Sequence, residues 1–243
     1  MKTLLLNSPW INNGEVYGIK SGTRWPALRR KERSMPYFPF PYEMAQAAAY
    51  LRRHGVDASA KDAIAEELTA EQCLCFMESL RPALTVIEAF TPSIEIDLAF
   101  AEAAKRRTGT AVAFCGVHAS ALPEEVLKSS AVDYVLTGEY DETLKELCFF
   151  MDGRGGELAK IAGLAYKKDA SVVVNVARPV IEDLDVLPCP EISEFPIYKY
   201  NEPLSRHSPN ARVVTTRGCP TPCISPIRAT SRTAPTCGCA AGS

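Results

Sequence analysis

"TAVAFCGVHASALPEEVLKSSAVDYVLTGEYDETLKEL" is the stretch at 110–147, and it contains two β–α units in succession. Its apolar runs at 110–116 and 132–138 are typical of strands that are buried on both faces. A helical pattern follows each run, at 122–130 and at 141–153. Because a strand is followed by a helix twice in a row, the stretch predicts part of a parallel sheet that is covered by helices.

The same alternation extends back to the N-terminus. Apolar segments at 3–9 and 84–90 predict two earlier strands, and "VDASAKDA" at 56–63 is a weaker third one. Helical patterns follow them at 42–55, 69–82 and 91–109. The sequence therefore predicts a flavodoxin-like (Rossmann-like) α/β fold, a doubly wound parallel sheet of five strands in the order 2-1-3-4-5.

The pattern changes after residue 153, which divides the chain into three parts. Residues 1–153 hold the β–α units, and residues 154–210 read as a β-hairpin with a turn near Lys168–Ala170, followed by a proline-punctuated linker. Residues 211–243 form a third part, which begins with one further strand, "ARVVTTRGCP" at 211–220.

Composition narrows the class of protein. Apolar residues make up 47% of the chain, enough for a sizeable core, and the formal net charge of −2 gives no reason to expect nucleic acid or an anionic membrane as a partner. No apolar run is long enough to span a bilayer, and the N-terminal "MKTLLLNSPW" is too short for a signal peptide. We therefore expect a reducing cytoplasm, in which the nine cysteines are not paired. Cys73, Cys75, Cys115 and Cys148 are interpreted as core residues.

Several common ligand motifs are absent from the sequence. There is no G-x-G-x-x-G, no G-x-x-x-x-G-K-[ST] and no G-x-S-x-G. Ligands of doubly wound sheets bind beyond the carboxyl ends of the strands. The candidate site residues therefore follow the strands, at Ser8, Pro9 and Trp10; Thr91, Pro92 and Ser93; Gly116 to Ser120; and Gly138 to Glu142.

Two of these turns carry a family resemblance. The first reads Cys115-Gly116-Val117-His118-Ala119-Ser120, and the second reads Gly138-Glu139-Tyr140-Asp141-Glu142-Thr143. They resemble the G-G-x-H-A-[ST] loop and the G-E-x-E-x-[TS] turn in the N-terminal cobalamin-binding domain of cobalamin-dependent radical S-adenosylmethionine enzymes. Cys115 replaces the first glycine of the loop, and the second turn has one extra residue. "LLNSPW" (5–10) and "RWPALRR" (24–30) also resemble the family's first loop. The whole likeness covers residues 1 to about 223.

The resemblance implies that cobalamin binds at these turns. Small residues allow the backbone to approach a bulky ligand, and free N–H groups bind its amides and phosphate. The implied cofactor-binding residues are Ser8, Pro9, Trp10, Thr91, Pro92, Ser93, Gly116, Val117, His118, Ala119, Ser120, Gly138, Glu139 and Glu142. A structural interpretation stays open for each one: Gly116 ends a strand, His118 is a loop residue without a ligand, and Glu139 and Glu142 stabilise a helix N-terminus.

A histidine ligand below the cobalt is not expected. Many cobalamin domains carry D-x-H-x-x-G after the first strand, but here that place reads Ser8-Pro9-Trp10-Ile11-Asn12. The resemblance therefore implies cobalamin without a lower-face histidine. In methyl-transferring relatives, such cobalt alternates between a nucleophilic reduced state and methylcobalamin.

Cys219 and Cys223 resemble the start of the C-x-x-x-C-x-x-C loop of radical S-adenosylmethionine enzymes. Three thiolates of that loop hold a [4Fe–4S] cluster and leave one iron open for S-adenosylmethionine. The third position is Pro226, and Cys237 and Cys239 lie too far along the chain to replace it by spacing. We expect the cluster and S-adenosylmethionine in an intact parent only. An inert pair of thiols, a disulfide or a zinc pair are the alternatives.

The segment "SPIRATSRTAPTCGCAAGS" (225–243) has no structural periodicity. Its composition is typical of GC-rich DNA translated in a wrong frame, and one back-translation of residues 229–243 reads D-I-P-D-S-T-Y-L-R-V-R-S-G-E one nucleotide away. We therefore expect a frameshifted stub of a catalytic barrel, although a natural truncation and a protein without a barrel stay open.

Three functions remain open from the sequence. The first is the cobalamin domain of a radical enzyme, such as a methyltransferase, in which this chain itself has no catalytic residues. The second is a stand-alone cobalamin carrier. The third is a response-regulator-like domain, which needs an acidic cluster after the first strand that Asn7-Ser8-Pro9 does not supply. The substrate and the oligomeric state do not follow from the sequence.

Overall fold

The computed structural model describes residues 1–12, 15–17, 29–30, 39–169 and 171–200, together with residues 207, 214 and 217. Most of "RWPALRR" and of the third part of the chain, including Cys219 and Cys223, lies outside the described residues. The predictions for those two cysteines therefore stay predictions.

Ten strands form two sheets in the described part of the chain. Their bounds are β1 Lys2–Asn7, β2 Ile11–Asn12, β3 Glu15–Tyr17, β4 Arg29–Arg30, β5 Asp57–Asp62, β6 Leu84–Glu88, β7 Ala111–Cys115, β8 Tyr134–Leu136, β9 Leu164–Lys168 and β10 Ser171–Val174. The large sheet has the order β10-β9-β8-β7-β6-β1-β5, and β2, β3 and β4 make a small antiparallel sheet. The predicted strand order 2-1-3-4-5 is confirmed by the five parallel strands β5, β1, β6, β7 and β8.

The predicted five-stranded sheet is extended to seven strands by the hairpin. β9 pairs antiparallel with β8, and β10 pairs antiparallel with β9. The sequence predicts this hairpin but not its partner. An unpaired β8 would leave a sheet edge open, and pairing with β9 closes that edge and buries Leu164 and Tyr166. The sheet is therefore mixed rather than purely parallel.

Six α-helices among the described residues flank the large sheet. Their bounds are α1 Tyr42–Arg53, α2 Ala70–Leu80, α3 Ile94–Thr108, α4 Val117–Ala121, α5 Pro123–Leu127 and α6 Asp141–Met151. α2 begins at a capping box between Thr69 and Gln72, and α3 ends at Gly109 in the left-handed conformation. α1 packs against α6, and α2 packs against α3, which gives one helix pair on each face of the sheet. No helix in the described part of the chain is both long and apolar enough to cross a membrane.

The core has one apolar layer on each face of the sheet. Leu5 belongs to the layer under α1 and α6, while Leu4 and Leu6 belong to the layer under α2 and α3, as expected from the two-residue period of a strand. Cys115 and Cys148 are buried as predicted, and so is Cys73. The core prediction for Cys75 is wrong. It lies two residues beyond Cys73, so the helix turns its thiol outward, where it contacts Glu71.

The linker packs back onto the first part of the chain. The backbone oxygen of Pro188 accepts a hydrogen bond from Gln46 of α1, 3.0 Å away. Tyr200 then donates its hydroxyl hydrogen to the buried carboxylate of Asp62 at the end of β5, at 3.0 Å. The linker therefore returns to the carboxyl edge of the sheet.

Candidate functional site

The candidate site lies at the carboxyl edge of the large sheet. Since β1, β6, β7 and β8 are parallel neighbours or near neighbours, the turns that follow them meet at the same edge. Three hydrogen-bonded links join these turns into a continuous rim.

The first link joins the turn after β1 to the start of α3. Ser8 Oγ donates to Asp97 Oδ1 at 2.6 Å, and Ser93 Oγ donates to Asp97 Oδ2 at 2.6 Å. All three side chains are buried. Ser8 and Ser93 are predicted site residues, but Asp97 is not. Its only signal in the sequence is a carboxylate in the first turn of a helix, which is common for dipole reasons alone.

The second link joins the turn after β6 to the segment after β7. Thr91 Oγ1 lies 3.0 Å from His118 Nδ1. The segment that carries His118 is predicted as a loop, but it folds as the short helix α4. Gly116 precedes α4 with φ +95° and ψ −176°, a conformation that is available essentially only to glycine. A Cβ at Gly116 would lie 2.9 Å from the backbone oxygen of Ala89, so this glycine permits close contact between neighbouring turns.

The third link joins the end of α4 to the turn after β8. The backbone N–H of Gly138 donates to Ser120 Oγ at 3.1 Å. Gly138 has φ +70°, and a Cβ there would meet no atom within 4 Å. Of the two glycines, Gly138 therefore borders open space, whereas Gly116 borders protein.

Burial separates the predicted site residues into two groups. The chain itself buries Ser8, Pro9, Trp10, Ser93, His118 and Ala119. The exposed or half-buried group contains Thr91, Pro92, Gly116, Val117, Ser120, Gly138, Glu139 and Glu142. Trp10 is only 4% exposed and packs in the core layer under α1 and α6, so its indole is part of the core beneath the turn after β1. Val117 is 42% exposed, an apolar side chain that the protein leaves in water at this edge.

The two glutamates of the second turn have protein partners. Glu139 Oε2 accepts a hydrogen bond from the backbone N–H of Ile181 at 2.8 Å. Glu142 accepts hydrogen bonds from the Tyr50 hydroxyl and from Lys145, which directs its carboxylate toward α1. Burial acts to raise the pKa of Glu142, but these two donors hold the pKa below its ordinary value. The structural interpretation of Glu142 is therefore the stronger one.

Asp141 and Arg217 form a partly buried ion pair at the start of α6. Arg217 NH1 donates to Asp141 Oδ2 at 3.2 Å, and Arg217 NH2 donates to Gln46 Oε1. Burial raises the pKa of Asp141, although Arg217 acts in the opposite direction. No pattern in the sequence indicates this pair, because 76 residues separate its members.

Two buried acceptor oxygens at this edge are without a hydrogen-bond partner among the described residues. They are Oδ1 of Asp141 and Oδ1 of Asn7. A buried acceptor that lacks a donor costs about 1–3 kcal/mol, so both positions fit a partner that brings N–H or O–H groups. Within the same part of the chain, no cluster of three or more His, Cys, Asp or Glu side chains is arranged to bind a metal ion.

Sequence comparison connects this edge to a known domain. The B12 binding domain family matches residues 33–148, from before α1 into α6. An uncharacterized methyltransferase of Pyrococcus horikoshii, PH0819, is 30% identical over 186 residues. The match covers 76% of this chain but 39% of that relative, so the chain spans about two fifths of the relative's length.

Two solved enzymes have a similar fold. The cobalamin-dependent S-adenosylmethionine radical enzyme OxsB, solved with aqua-cobalamin and S-adenosylmethionine, matches 78% of this chain with a TM-score of 0.59 and 15% identity. The radical S-adenosylmethionine methyltransferase TsrM of Kitasatospora setae matches 72% with a TM-score of 0.55 and 18% identity. The matched regions are 24% of OxsB and 30% of TsrM.

The strand order, the candidate site at the carboxyl edge and the family match all indicate the same kind of domain. The rim is built from segments that lie mostly inside the matched residues 33–148, and β1 supplies the remainder. The chain therefore contains a B12-binding domain, with the fold that this domain has in cobalamin-dependent radical S-adenosylmethionine enzymes.

Proposed function

We propose that this chain binds cobalamin at the rim, as the cobalamin domain of a radical S-adenosylmethionine methyltransferase-like protein. The observation that carries the proposal is the rim itself, where the turns after β1, β6, β7 and β8 are joined by hydrogen bonds inside a B12-binding domain. The exposed or half-buried members Thr91, Pro92, Val117, Ser120 and Gly138 are the proposed contacts. The buried members position them.

The chemistry of the rim fits the cofactor. Cobalamin has a broad apolar corrin, and its amide side chains supply N–H donors. Val117 and Leu122 are exposed apolar side chains of α4 and of the residue after it, and they offer a surface for the corrin. Gly138 leaves the backbone open to close approach.

We propose further that neither His54, which contacts the backbone oxygen of Tyr50 at the end of α1, nor His118 ligates cobalt. Ser8, Pro9 and Trp10 are buried where a D-x-H-x-x-G histidine would follow β1. His118 is buried, and its Nδ1 lies in contact with Thr91. When bound, cobalamin would supply methyl-transfer chemistry at cobalt, and Thr91, Pro92, Val117, Ser120 and Gly138 of the rim would hold it in place.

The remaining parts of the chain are assigned by the same proposal. Residues 1–153 are the cobalamin-binding unit, residues 154–210 are the hairpin and linker, and residues 211–243 lead into the catalytic part of the parent protein. OxsB binds S-adenosylmethionine, TsrM binds an analogue of it, and one TsrM structure contains a [4Fe–4S] cluster. We assign those two groups to the parent. The present chain is proposed to bind cobalamin without catalysing a reaction.

Titration with hydroxocobalamin tests the proposal, and two glycines provide a matched pair of variants. Gly138 and Gly109 have φ of +70° and +69°, and a Cβ at either glycine meets no atom within 4 Å. Gly138 lies at the carboxyl edge after β8, whereas Gly109 follows α3 at the opposite edge. Gly138→Leu and Gly109→Leu therefore place the same side chain at nearly equal positive φ on opposite edges of the sheet.

The wild-type chain should show saturable binding in the visible spectrum of the corrin. Gly138→Leu should weaken that binding at least about tenfold, which corresponds to about 1.4 kcal/mol, and Gly109→Leu should leave it unchanged. If the wild-type chain shows no saturable binding, the assignment of cobalamin is wrong. Equal loss in both variants would place the cofactor away from the rim.

A further inference from the structure

Among the described strands, β5 is the last of the large sheet, where it pairs with β1. The strand reads Asp57-Ala58-Ser59-Ala60-Lys61-Asp62. An edge strand presents backbone N–H and C=O groups that can pair with another chain, so proteins usually cover or blunt such an edge. The groups that meet the outer side of β5 therefore decide what this edge can bind.

Two side chains contact the outer backbone groups of β5. Arg52, in the last turn of α1, donates from Nε to the backbone oxygen of Ala58 at 2.7 Å. Glu194 of the linker accepts through Oε2 from the backbone N–H of Ala60 at 2.7 Å. Arg52 Nη2 lies 2.6 Å from the same Oε2, which joins the two contacts into one unit, called here the edge cap. The edge cap supplies one donor and one acceptor to β5, as a neighbouring strand would.

The linker brings Glu194 to this edge and is held beside β5 by its own contacts. Phe195, the next residue, is 6% exposed and packs edge-to-face against Phe40, with 5.3 Å between the ring centroids. Tyr200 donates its hydroxyl hydrogen to the carboxylate of Asp62, the last residue of β5, at 3.0 Å. The edge cap therefore depends on the return of the linker to the first part of the chain.

The backbone of β5 can pair with a second copy of itself. When two copies run antiparallel about a twofold axis at Ser59, Ala58 of one copy lies opposite Ala60 of the other. The Ala60 N–H then donates to the Ala58 oxygen of the second copy. These are the same two backbone groups that the edge cap occupies in this structure. The edge cap and a second β5 thus exclude each other.

The charges of β5 favour the same register. Asp57 of one copy lies opposite Lys61 of the other, once on each side of the axis. Asp57 is exposed, and Lys61 contacts Glu66 of its own chain at 2.5 Å. Opposite charges directly across two antiparallel strands stabilise their pairing, whereas like charges destabilise it. A twofold pair uses the same edge of both copies, so it closes as a dimer.

We propose that the outer edge of β5 is a docking surface for the β5 edge of a second copy of this chain, and that the edge cap blocks it. Withdrawal of Glu194 frees the Ala60 N–H, and the two large sheets then join across the twofold axis. The linker thereby controls access to this surface. The inference does not rest on the proposed function, since β5 supplies none of the proposed cobalamin contacts.

Sedimentation velocity of the full chain at a series of concentrations tests the proposal. Arg52→Ala/Glu194→Ala removes the edge cap without changing the net charge. Arg107→Ala/Glu78→Ala is the matched control, because it removes another Arg–Glu pair, with a contact of 2.8 Å between α3 and α2. The dissociation constant of the dimer should be at least about tenfold smaller in the first variant than in the unmodified chain, and unchanged in the control. Equal association of both variants and the unmodified chain would overturn the proposal.

Amide exchange followed by nuclear magnetic resonance locates the association. In the unmodified chain the Ala60 amide should exchange slowly, because Glu194 accepts its hydrogen. In Arg52→Ala/Glu194→Ala the same amide should exchange rapidly in dilute protein and slowly in concentrated protein, where a second β5 replaces the edge cap. Association that leaves the Ala60 amide in rapid exchange shows that another surface pairs, and the proposal is then wrong.

Two further changes in the Arg52→Ala/Glu194→Ala background test the register. Lys61→Glu should weaken association, because two carboxylates then lie opposite each other across the strands. The addition of Asp57→Lys should restore it, since the exchanged charges again attract between copies, although the contact of Lys61 with Glu66 stays lost. If the charge exchange does not restore association, β5 does not pair about Ser59.

Discussion

Thr91 Oγ1 lies 3.0 Å from Nδ1 of His118, and this contact joins the turn after β6 to the helix that follows β7. The histidine is buried at the rim, so a role as a structural bridge is compatible with a position in the proposed cofactor site. The relationship also indicates which experiments separate the two roles.

His118→Ala is expected to lower the free energy of unfolding by about 1 kcal/mol, because one side-chain hydrogen bond is lost. Urea unfolding followed by circular dichroism measures this change. The visible spectrum of bound cobalamin should be unchanged, because His118 is not proposed as a cobalt ligand. Thr91→Val is the matched control, since it removes the same hydrogen bond and keeps the imidazole. A changed cobalt spectrum in His118→Ala alone would contradict our account of the lower face.

Asp97→Ala should be among the more damaging single changes at the rim. Asp97 accepts hydrogen bonds from Ser8 and Ser93 inside the protein, and its removal leaves two buried hydroxyls without that acceptor. We expect a loss of about 2–4 kcal/mol in the free energy of unfolding. Glu95→Gln on the same helix is exposed and should change stability by less than about 0.5 kcal/mol. Equal unfolding midpoints for the two variants would show that the Asp97 network is unimportant.

Gly116→Ala and Gly138→Ala should differ in stability. Both glycines have positive φ, so both variants carry backbone strain of about 1–3 kcal/mol. Only at Gly116 does the new Cβ also collide with a backbone oxygen, that of Ala89. Gly116→Ala should therefore unfold at clearly lower urea concentration than Gly138→Ala. The reverse order would mean that the contact between the two turns does not constrain this position. Gly138, rather than Gly116, is the better residue for blocking a ligand without disturbing the fold.

Anaerobic reconstitution with iron and sulfide should give well under one [4Fe–4S] cluster per chain. In the predicted motif, Cys219 and Cys223 would supply two thiolates, and Pro226 stands where the third ligand would be expected. Replacement of Pro226 by cysteine should raise the iron content, as measured by the visible absorbance of the cluster and by metal analysis. Stoichiometric cluster in the unmodified chain would show that Cys237 or Cys239 acts as the third ligand.

The thiols of the described part should fall into two classes of reactivity. Cys75 and Cys189 are exposed, whereas Cys73, Cys115 and Cys148 are buried. Burial raises the pKa of Cys148 to about 11, so little of it is thiolate at about pH 8. Iodoacetamide at that pH should modify Cys75 and Cys189 within minutes and leave the buried three unmodified until urea is added, as followed by peptide mass spectrometry. Rapid modification of Cys148 in the folded protein would contradict its place in the core.

The order of strands was predictable because each β–α unit is a local pattern. A buried strand such as 84–88 is recognisable from its apolar run, and an amphipathic helix such as α1 from the spacing of its apolar residues. The right-handed crossover rule then restricts the order in which parallel strands are arranged. The attachment of the hairpin to β8 was not predictable in the same way. β9 could pair with any open edge of the sheet. It pairs with β8 because the chain after α6 reaches that edge.

The candidate site was predictable in its location but only partly in its composition. Position after a parallel strand is enough to place Thr91, Ser120 and Gly138 at one edge. The sequence does not tell that Trp10 packs into the core or that Glu142 faces α1, because side-chain direction depends on neighbours from distant segments.

By itself the sequence determined the local elements, the order of the five parallel strands and the edge at which the candidate site is proposed, since these follow from hydrophobic periodicity and from turn residues a few positions apart. Only the tertiary structure decided which side chains at that edge form hydrogen bonds between distant segments of the chain. Asp97 joins β1 to α3, and Asp141 meets Arg217 across 76 residues. Charged and polar groups acquire such partners because burial removes water from them, and the partner is whichever donor or acceptor folding brings within hydrogen-bond distance.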